Sequence, residues 1–184
     1  MMPVADGRVR LSYWIDSNET VVKIVGPWDA WLGHDGEVPE HGRKHKVVGN
    51  SLFSFIVGDG VRHVYRTMHA RILETGRTIE FPFRCDSAWF RRDMQMRIGR
   101  EGNSLRYDSV LISETRRPRP LPRPAPAADT LVAMCSFCKV YRFPIESPLW
   151  KDIESLFVEP NLPELFSITH SLCEHCAALW LREL

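Results

Sequence analysis

The chain has 184 residues, of which 44% are hydrophobic and 26% charged, with a formal net charge of +1. This is the make-up of an ordinary soluble protein of one or two domains. No run approaches about 18 apolar residues, which excludes a membrane-spanning helix. Residues 1–10 hold no apolar run of signal-peptide length, so a cytoplasmic, reducing setting is expected, where cysteines favour metal over disulfides.

In chain order, residues 11–25 read as a hairpin. Leu11, Tyr13 and Ile15 alternate with Ser12, Trp14 and Asp16. Asp16-Ser17-Asn18-Glu19 has turn chemistry, and Val21-Val22-Lys23-Ile24-Val25 returns the chain before Gly26-Pro27 stops it. Residues 28–32 read as a short helix, 33–46 as a loop, and 50–55 as a second short element closed by Gly58-Asp59-Gly60. The clearest helix covers about 61–74. Val61, Val64, Tyr65, Met68 and Ile72 share one face at helical spacing, Arg62, Arg66 and Arg71 lie on or near the other, and Gly76 is the C-cap. Residues 78–86 alternate as a strand with Ile79, Phe81, Phe83 and Cys85 on one face, and Pro82 marks an edge or a bulge. Met94, Met96 and Ile98 mark the next strand, Glu101-Gly102-Asn103 a turn, and 105–112 the last strand.

Two strands, short helices, one longer helix and a three-strand meander predict an α+β fold: five antiparallel strands with helices on one face. An apolar pocket forms between such a sheet and its helix. Trp28, Trp31, Phe53, Phe55, Tyr65, Met68, His69, Phe81, Phe83, Met94 and Met96 are its candidate lining, although such a cluster ordinarily fills its own space as core. In the element order, the opening hairpin, the tryptophan-rich helix after the second strand and the Gly58-Asp59-Gly60 turn, residues 9–114 resemble the PAS family of sensory domains. The resemblance implies sensing or dimerisation. His63 and His69 lie on the helix where haem-binding members carry their iron ligand. Only His69 sits at the edge of the apolar face, and solvent exposure is the ordinary expectation for it. Cys85 is expected as a small buried hydrophobe.

Residues 115–130 read as a linker. The run from Arg116 to Pro126 has proline at alternate positions from 118, so it should be extended at about 3.1 Å per residue and semi-rigid. Its arginines either meet an acidic partner or keep the linker solvated, and solvation is the simpler expectation.

Residues 131–184 hold the sharpest pattern. Cys135-Ser136-Phe137-Cys138 and Cys173-Glu174-His175-Cys176 bracket 34 residues. Each CxxC turn aims two thiolates at one centre, and four sulfurs complete a tetrahedral site for zinc, with iron as its rival. Four ligands leave no open position, so the ion would hold structure and not activate water. His170 is a candidate to replace one sulfur or to hydrogen-bond a ligand, and His175 is a spare candidate. Ser147-Pro148 reads as the start of a helix carrying Leu149, Trp150, Ile153, Leu156 and Phe157 on one face. Ser171 reads as the cap of a last helix over 172–184. So short a tail needs a crosslink to fold, and removing the metal is expected to unfold it while sparing the first domain.

The string Met134-Cys135-Ser136-Phe137-Cys138-Lys139, then Trp150 with Ile153-Glu154, then Phe166-Ser167 and His170-Ser171-Leu172-Cys173-Glu174-His175-Cys176, resembles the cysteine-rich tail that follows PAS domains in some bacterial sensor proteins. Here Ile168-Thr169 is inserted and the proline common after the third cysteine is missing. The resemblance implies bacterial signalling.

The expected organisation is a PAS-like sensor domain over 9–114, a Pro/Arg-rich linker over 115–130, and a small zinc-ribbon-like helical tail over 131–184 with four cysteine ligands. No nucleophile elbow, Walker loop, dinucleotide fingerprint, kinase or cyclase motif is present, so a non-catalytic signalling or interaction module is expected. Its partner would be a protein or a second copy, docked by the zinc-stapled tail. The alternative is a thiol–disulfide switch built on the two CxxC pairs. A third reading, nucleic-acid binding through Arg91, Arg92, Arg97 and Arg106, meets an obstacle. Residues 131–184 carry 4 basic against 7 acidic side chains, and a ribbon that grips phosphates should be basic.

Overall fold

The computed structural model describes residues 10–29, 43–122, 124–125, 128–159, 164 and 166–183. Trp31, with the rest of the helix and loop expected over 30–42, lies outside the described residues, as does the Phe157 side chain. The fold is mixed α+β. β1 (Arg10–Ile15), β2 (Val21–Val25), β3 (Ile79–Arg84), β4 (Phe90–Glu101) and β5 (Ser104–Arg116) form one antiparallel sheet in the order β2-β1-β5-β4-β3. Pro82 can sit in β3 because that strand is an edge. Between β2 and β3 lie α1 (Lys44–Val47), a 3-10 turn (Leu52–Ser54) and α2 (Asp59–Thr75).

α2 starts and stops where the glycines predict. Gly76 takes φ 69° and returns its N–H to the Ile72 carbonyl at 2.8 Å. At the other end Gly58 takes φ 95°, and a Cβ there would stand 2.9 Å from the His170 carbonyl oxygen. The helix start thus needs glycine twice, for its dihedral and for the tail strand passing against it. The buried face of α2 is Val61, Val64, Met68, His69 and Ile72. His69 departs from the expectation of solvent exposure: it is 6% exposed and its Nε2 hydrogen-bonds the hydroxyl of buried Tyr107 on β5. The helical angle placed it at the edge of the apolar stripe, and the sheet reaches that edge.

The tail departs further from its sequence reading. β6 (Leu131–Cys135) is the centre of a second sheet, with β7 (Tyr141–Arg142) antiparallel on one side and β8 (Ser167–Ser171) parallel on the other. α3 (Glu174–Glu183) follows, close to the helix expected there. The helix expected from Ser147 is replaced by a 3-10 stretch over Ile153–Val158, capped by the Asp152 side chain. The cause is pairing: Tyr141 and Lys151 exchange two backbone hydrogen bonds of 2.8 Å, which holds the chain extended just where the helix would have grown. No helix among the described residues is long and apolar enough to cross a membrane.

The linker is a strap and not a free spacer. Arg117 N–H donates to the Trp89 carbonyl at 2.7 Å, Leu121 N–H to Ala88 at 2.9 Å, and Ala125 N–H to Phe166 at 2.8 Å. Arg117 is buried and ion-paired to Asp86 at 2.6 Å and Glu154 at 2.9 Å, which corrects the expectation of solvation for that arginine, while Arg116 and Arg119 are exposed as expected. Its acidic partner is this chain. The hydrophobic core is continuous across the strap: Val61, Met68, Ile72, Phe81 and Ile98 share one cluster with Cys135, Phe137, Cys173, Cys176 and Trp180. A smaller cluster of Val132, Tyr141, Ile153, Leu156 and Phe166 belongs to the tail.

Candidate metal centre

The parallel register of β6 and β8 builds the site. Cys135 pairs with Ser171, so the turn leaving β6 and the helix following β8 emerge side by side at one end. Ser136 N–H locks them through the Ser171 carbonyl at 3.0 Å. The first turn closes on itself: Lys139 N–H donates to the Cys135 carbonyl at 3.1 Å and Cys135 N–H to Val140 at 2.8 Å. Cys173 precedes α3 and Cys176 lies in its first turn, with Cys176 N–H at 3.5 Å from Cys173 Sγ. A helix N-terminus, with its unpaired N–H groups, favours a thiolate there.

The four sulfurs of Cys135, Cys138, Cys173 and Cys176 all lie within 4.8 Å of one another. Cys138 Sγ and Cys173 Sγ are 3.5 Å apart, and none of the four is in a disulfide. Sulfurs bound to one zinc at about 2.3 Å in a tetrahedron stand about 3.8 Å apart, so the spacing fits a shared ion. Electrostatics point the same way. Hydrogen bonds from the Cys138 and Cys176 thiols hold the Cys135 thiol far below its ordinary value; those same bonds push Cys138 up to about 12 and Cys176 higher still. One thiolate is easy here and four are not, unless a cation neutralises them. Three of the four cysteines are buried and Cys138 is half-buried. The residue set therefore fits a closed, structural metal ion, and the geometry leaves zinc and iron both open.

His170 lies on β8 outside this cluster. Its Nδ1 is 3.5 Å from Ser136 Oγ, so it contacts the turn and not the sulfurs, and burial first, then the Lys139 charge, lowers its pKa. His175 is exposed on α3.

What the sequence did not single out is how the sulfurs are roofed. Phe137, inside the first CxxC, stacks on Tyr65 at 5.7 Å and meets Phe81 edge-on at 5.6 Å and Trp180 at 5.0 Å. Trp180 in turn meets Phe81 at 4.5 Å. Arg84 N–H, at the end of β3, donates to the Phe137 carbonyl at 2.7 Å. The only sequence signal for this anchor was an aromatic between two candidate ligands.

Trp31 apart, the candidate pocket residues are packed into the protein's core. Met68, His69, Phe53, Phe81, Met94 and Met96 are buried, and Trp28, Phe55, Tyr65 and Phe83 are half-buried against the same core. Phe53 meets His69 at 5.8 Å, and Trp28 meets Tyr13 edge-on at 6.3 Å. None of these residues lines the concavity of about 490 Å³ that opens on the outer face of the large sheet. Within that concavity Arg97 pairs with Glu80 at 3.4 Å, and Arg106 with Asp108 at 2.9 Å and Glu101 at 3.2 Å. Arg91 pairs with Asp93 at 3.2 Å and buried Arg92 with Glu114 at 2.6 Å. Each of the four arginines weighed for nucleic acid thus already has a carboxylate. Cys85 is half-buried beside Met94 and Leu111.

Fold and site together define a mixed α+β protein whose second, smaller sheet carries a buried four-cysteine cluster. No protein-family profile matches the chain, and no curated protein matches it either.

Proposed function

We propose that the chain is a non-catalytic signalling or interaction module of the bacterial cytoplasm: a PAS-like sensing or dimerising domain whose cysteine-rich tail is stapled by structural zinc and presents a surface to a protein partner or a second copy. The observation that carries this reading is the closed set of four sulfurs within 4.8 Å, set in the same core as the sheet. A closed ion contributes folding energy and no open coordination site, which favours structure and display over catalysis. The five-stranded antiparallel sheet with α2 packed on it supports the PAS-like part of the reading.

The test is elemental analysis with a visible spectrum of the purified protein. One zinc per chain with no visible absorbance supports the reading; visible absorbance from an iron–sulfur centre, or no metal, overturns it. The thiol-switch alternative has one observation behind it, the 3.5 Å approach of Cys138 and Cys173 across the two pairs. Exchange needs an exposed thiolate, and of the four clustered cysteines only Cys138 is partly exposed. Mild oxidation followed by thiol counting separates the two: four protected thiols favour the staple, and a reversible Cys138–Cys173 disulfide favours the switch.

A further inference from the structure

Away from the sulfurs, a cavity of about 250 Å³ opens where three parts of the chain meet: the connection after β3, the proline strap and the tail sheet. Leu121 and Pro122 of the strap, Met134 of β6, Ile168 of β8, and Leu156 with Phe166 make its apolar walls. Asp86 and Lys139 stand at its polar lining.

These two charged groups are not equivalent. Asp86 is fully engaged: Oδ1 accepts from Arg84 Nε and the Arg92 amide, both at 3.2 Å, and Oδ2 from Arg84 Nη2 at 2.5 Å and Arg117 Nη2 at 2.6 Å. Lys139 Nζ donates to the Ser136 carbonyl at 3.0 Å, its one hydrogen-bond acceptor among the described residues, while an ammonium has three N–H groups. Lys139 also sits at φ 61°, a left-handed position that suits glycine. The turn would form with less strain without a side chain there. The lysine side chain bonds the turn through the Ser136 carbonyl, and its ammonium, with N–H groups to spare, lines the cavity beside Asp86.

We propose that this cavity binds a small organic carboxylate, its carboxylate on the Lys139 ammonium and its apolar body against Met134, Leu156, Phe166 and Ile168. The volume lies below the range of about 300–1,000 Å³ that holds drug-sized ligands, so the occupant is small. One ammonium with free donors matches one carboxylate. A phosphate dianion would find too few donors beside Asp86, and an amine would find the Asp86 oxygens already taken. The proposal rests on the cavity and stands apart from the signalling reading.

The test is a titration of the full-length protein, with its metal content measured, using potassium hexanoate and, in parallel, the neutral 1-hexanol. Binding is read by calorimetry and by the methyl NMR signals of Met134, Ile153 and Ile168. Saturable 1:1 binding of hexanoate is expected, with shifts of the Met134 and Ile168 methyls and affinity about ten- to hundredfold above that of 1-hexanol. Lys139→Gly should keep the turn and the metal while losing that preference, and Lys139→Gln should lose it too. Hexanoate that moves none of these methyls, or binds no better than hexanol, or binds the variants unchanged, overturns the proposal. If Lys139→Gly alters the metal content, the wild-type comparison of hexanoate with hexanol decides alone. Absence of metal from the wild type would sink the zinc staple and leave this titration interpretable.

Discussion

His69 shows how far a single side chain can depart from its local prediction. Its ring is buried between α2 and β5, and burial first, with the Arg66 charge second, lowers its pKa to about 4 from the ordinary 6.5. The folded protein thus holds the neutral ring against Tyr107. A depressed folded pKa gives stability that is present above pH 6.5 and lost as pH falls toward 4. Between pH 7 and pH 5 the loss should be about 2 kcal/mol. His69→Leu should cost about 1–3 kcal/mol at pH 7, because the Tyr107 hydroxyl is left buried and unpaired, and should remove that part of the acid slope. Urea unfolding of both proteins at the two pH values checks this, and equal slopes would rule out His69 as the source. The sequence placed His69 on the rim of the apolar stripe; which side of a rim is buried depends on a strand 38 residues away, which no local pattern contains.

At the scale of elements, legibility followed periodicity. The hairpin, α2 and the meander each carry their own pattern, and all were found within a few residues. β8 reads Ser-Ile-Thr-His-Ser and every position in it is half-buried, so no alternation announces it. It is a strand because β6 pairs with it in parallel from a distance, and a parallel partner leaves no hairpin signature. The same passage of β8 fixes the start of α2. Gly58→Ala should cost about 2 kcal/mol or more, since the new Cβ meets both a disfavoured φ and the His170 carbonyl. Gly60→Ala, two residues on, meets nothing within 4 Å and should stabilise by about 0.4–1 kcal/mol. Thermal or urea unfolding of the pair measures the contrast, and like-signed effects would refute it. The strap makes a parallel case. Arg117 is buried against two carboxylates, so Arg117→Ala should cost about 3–5 kcal/mol in urea unfolding, where a solvated linker arginine would cost nothing measurable.

For the whole molecule, the decisive fact is that the sulfurs and the sheet share one core. The CxxC spacing made the four-cysteine cluster legible, because chemistry fixes it locally; the docking of the tail was not, because Phe137, Tyr65, Phe81 and Trp180 come from four separate stretches. This sharing changes what metal loss should do. An independent tail would unfold alone, whereas this one would uncover Phe81 and Tyr65 as it left. Chelation should therefore lower hydrogen-exchange protection in β6, β8 and α3, and also in β3 and the α2 face that meets Phe137. Two substitutions separate the ion from the anchor. Cys176→Ser removes a ligand and should abolish stoichiometric metal and destabilise by several kcal/mol. Phe137→Ala leaves all four sulfurs, so metal should be retained while about 3–5 kcal/mol of packing is lost. If the ion acts by holding the turn that carries Phe137, the exchange pattern of Phe137→Ala with metal bound should match chelated wild type on β3 and α2, yet stay protected within β6. Unchanged protection of β3 and α2 in both samples would mean that the sheet does not depend on its metal-bound cover.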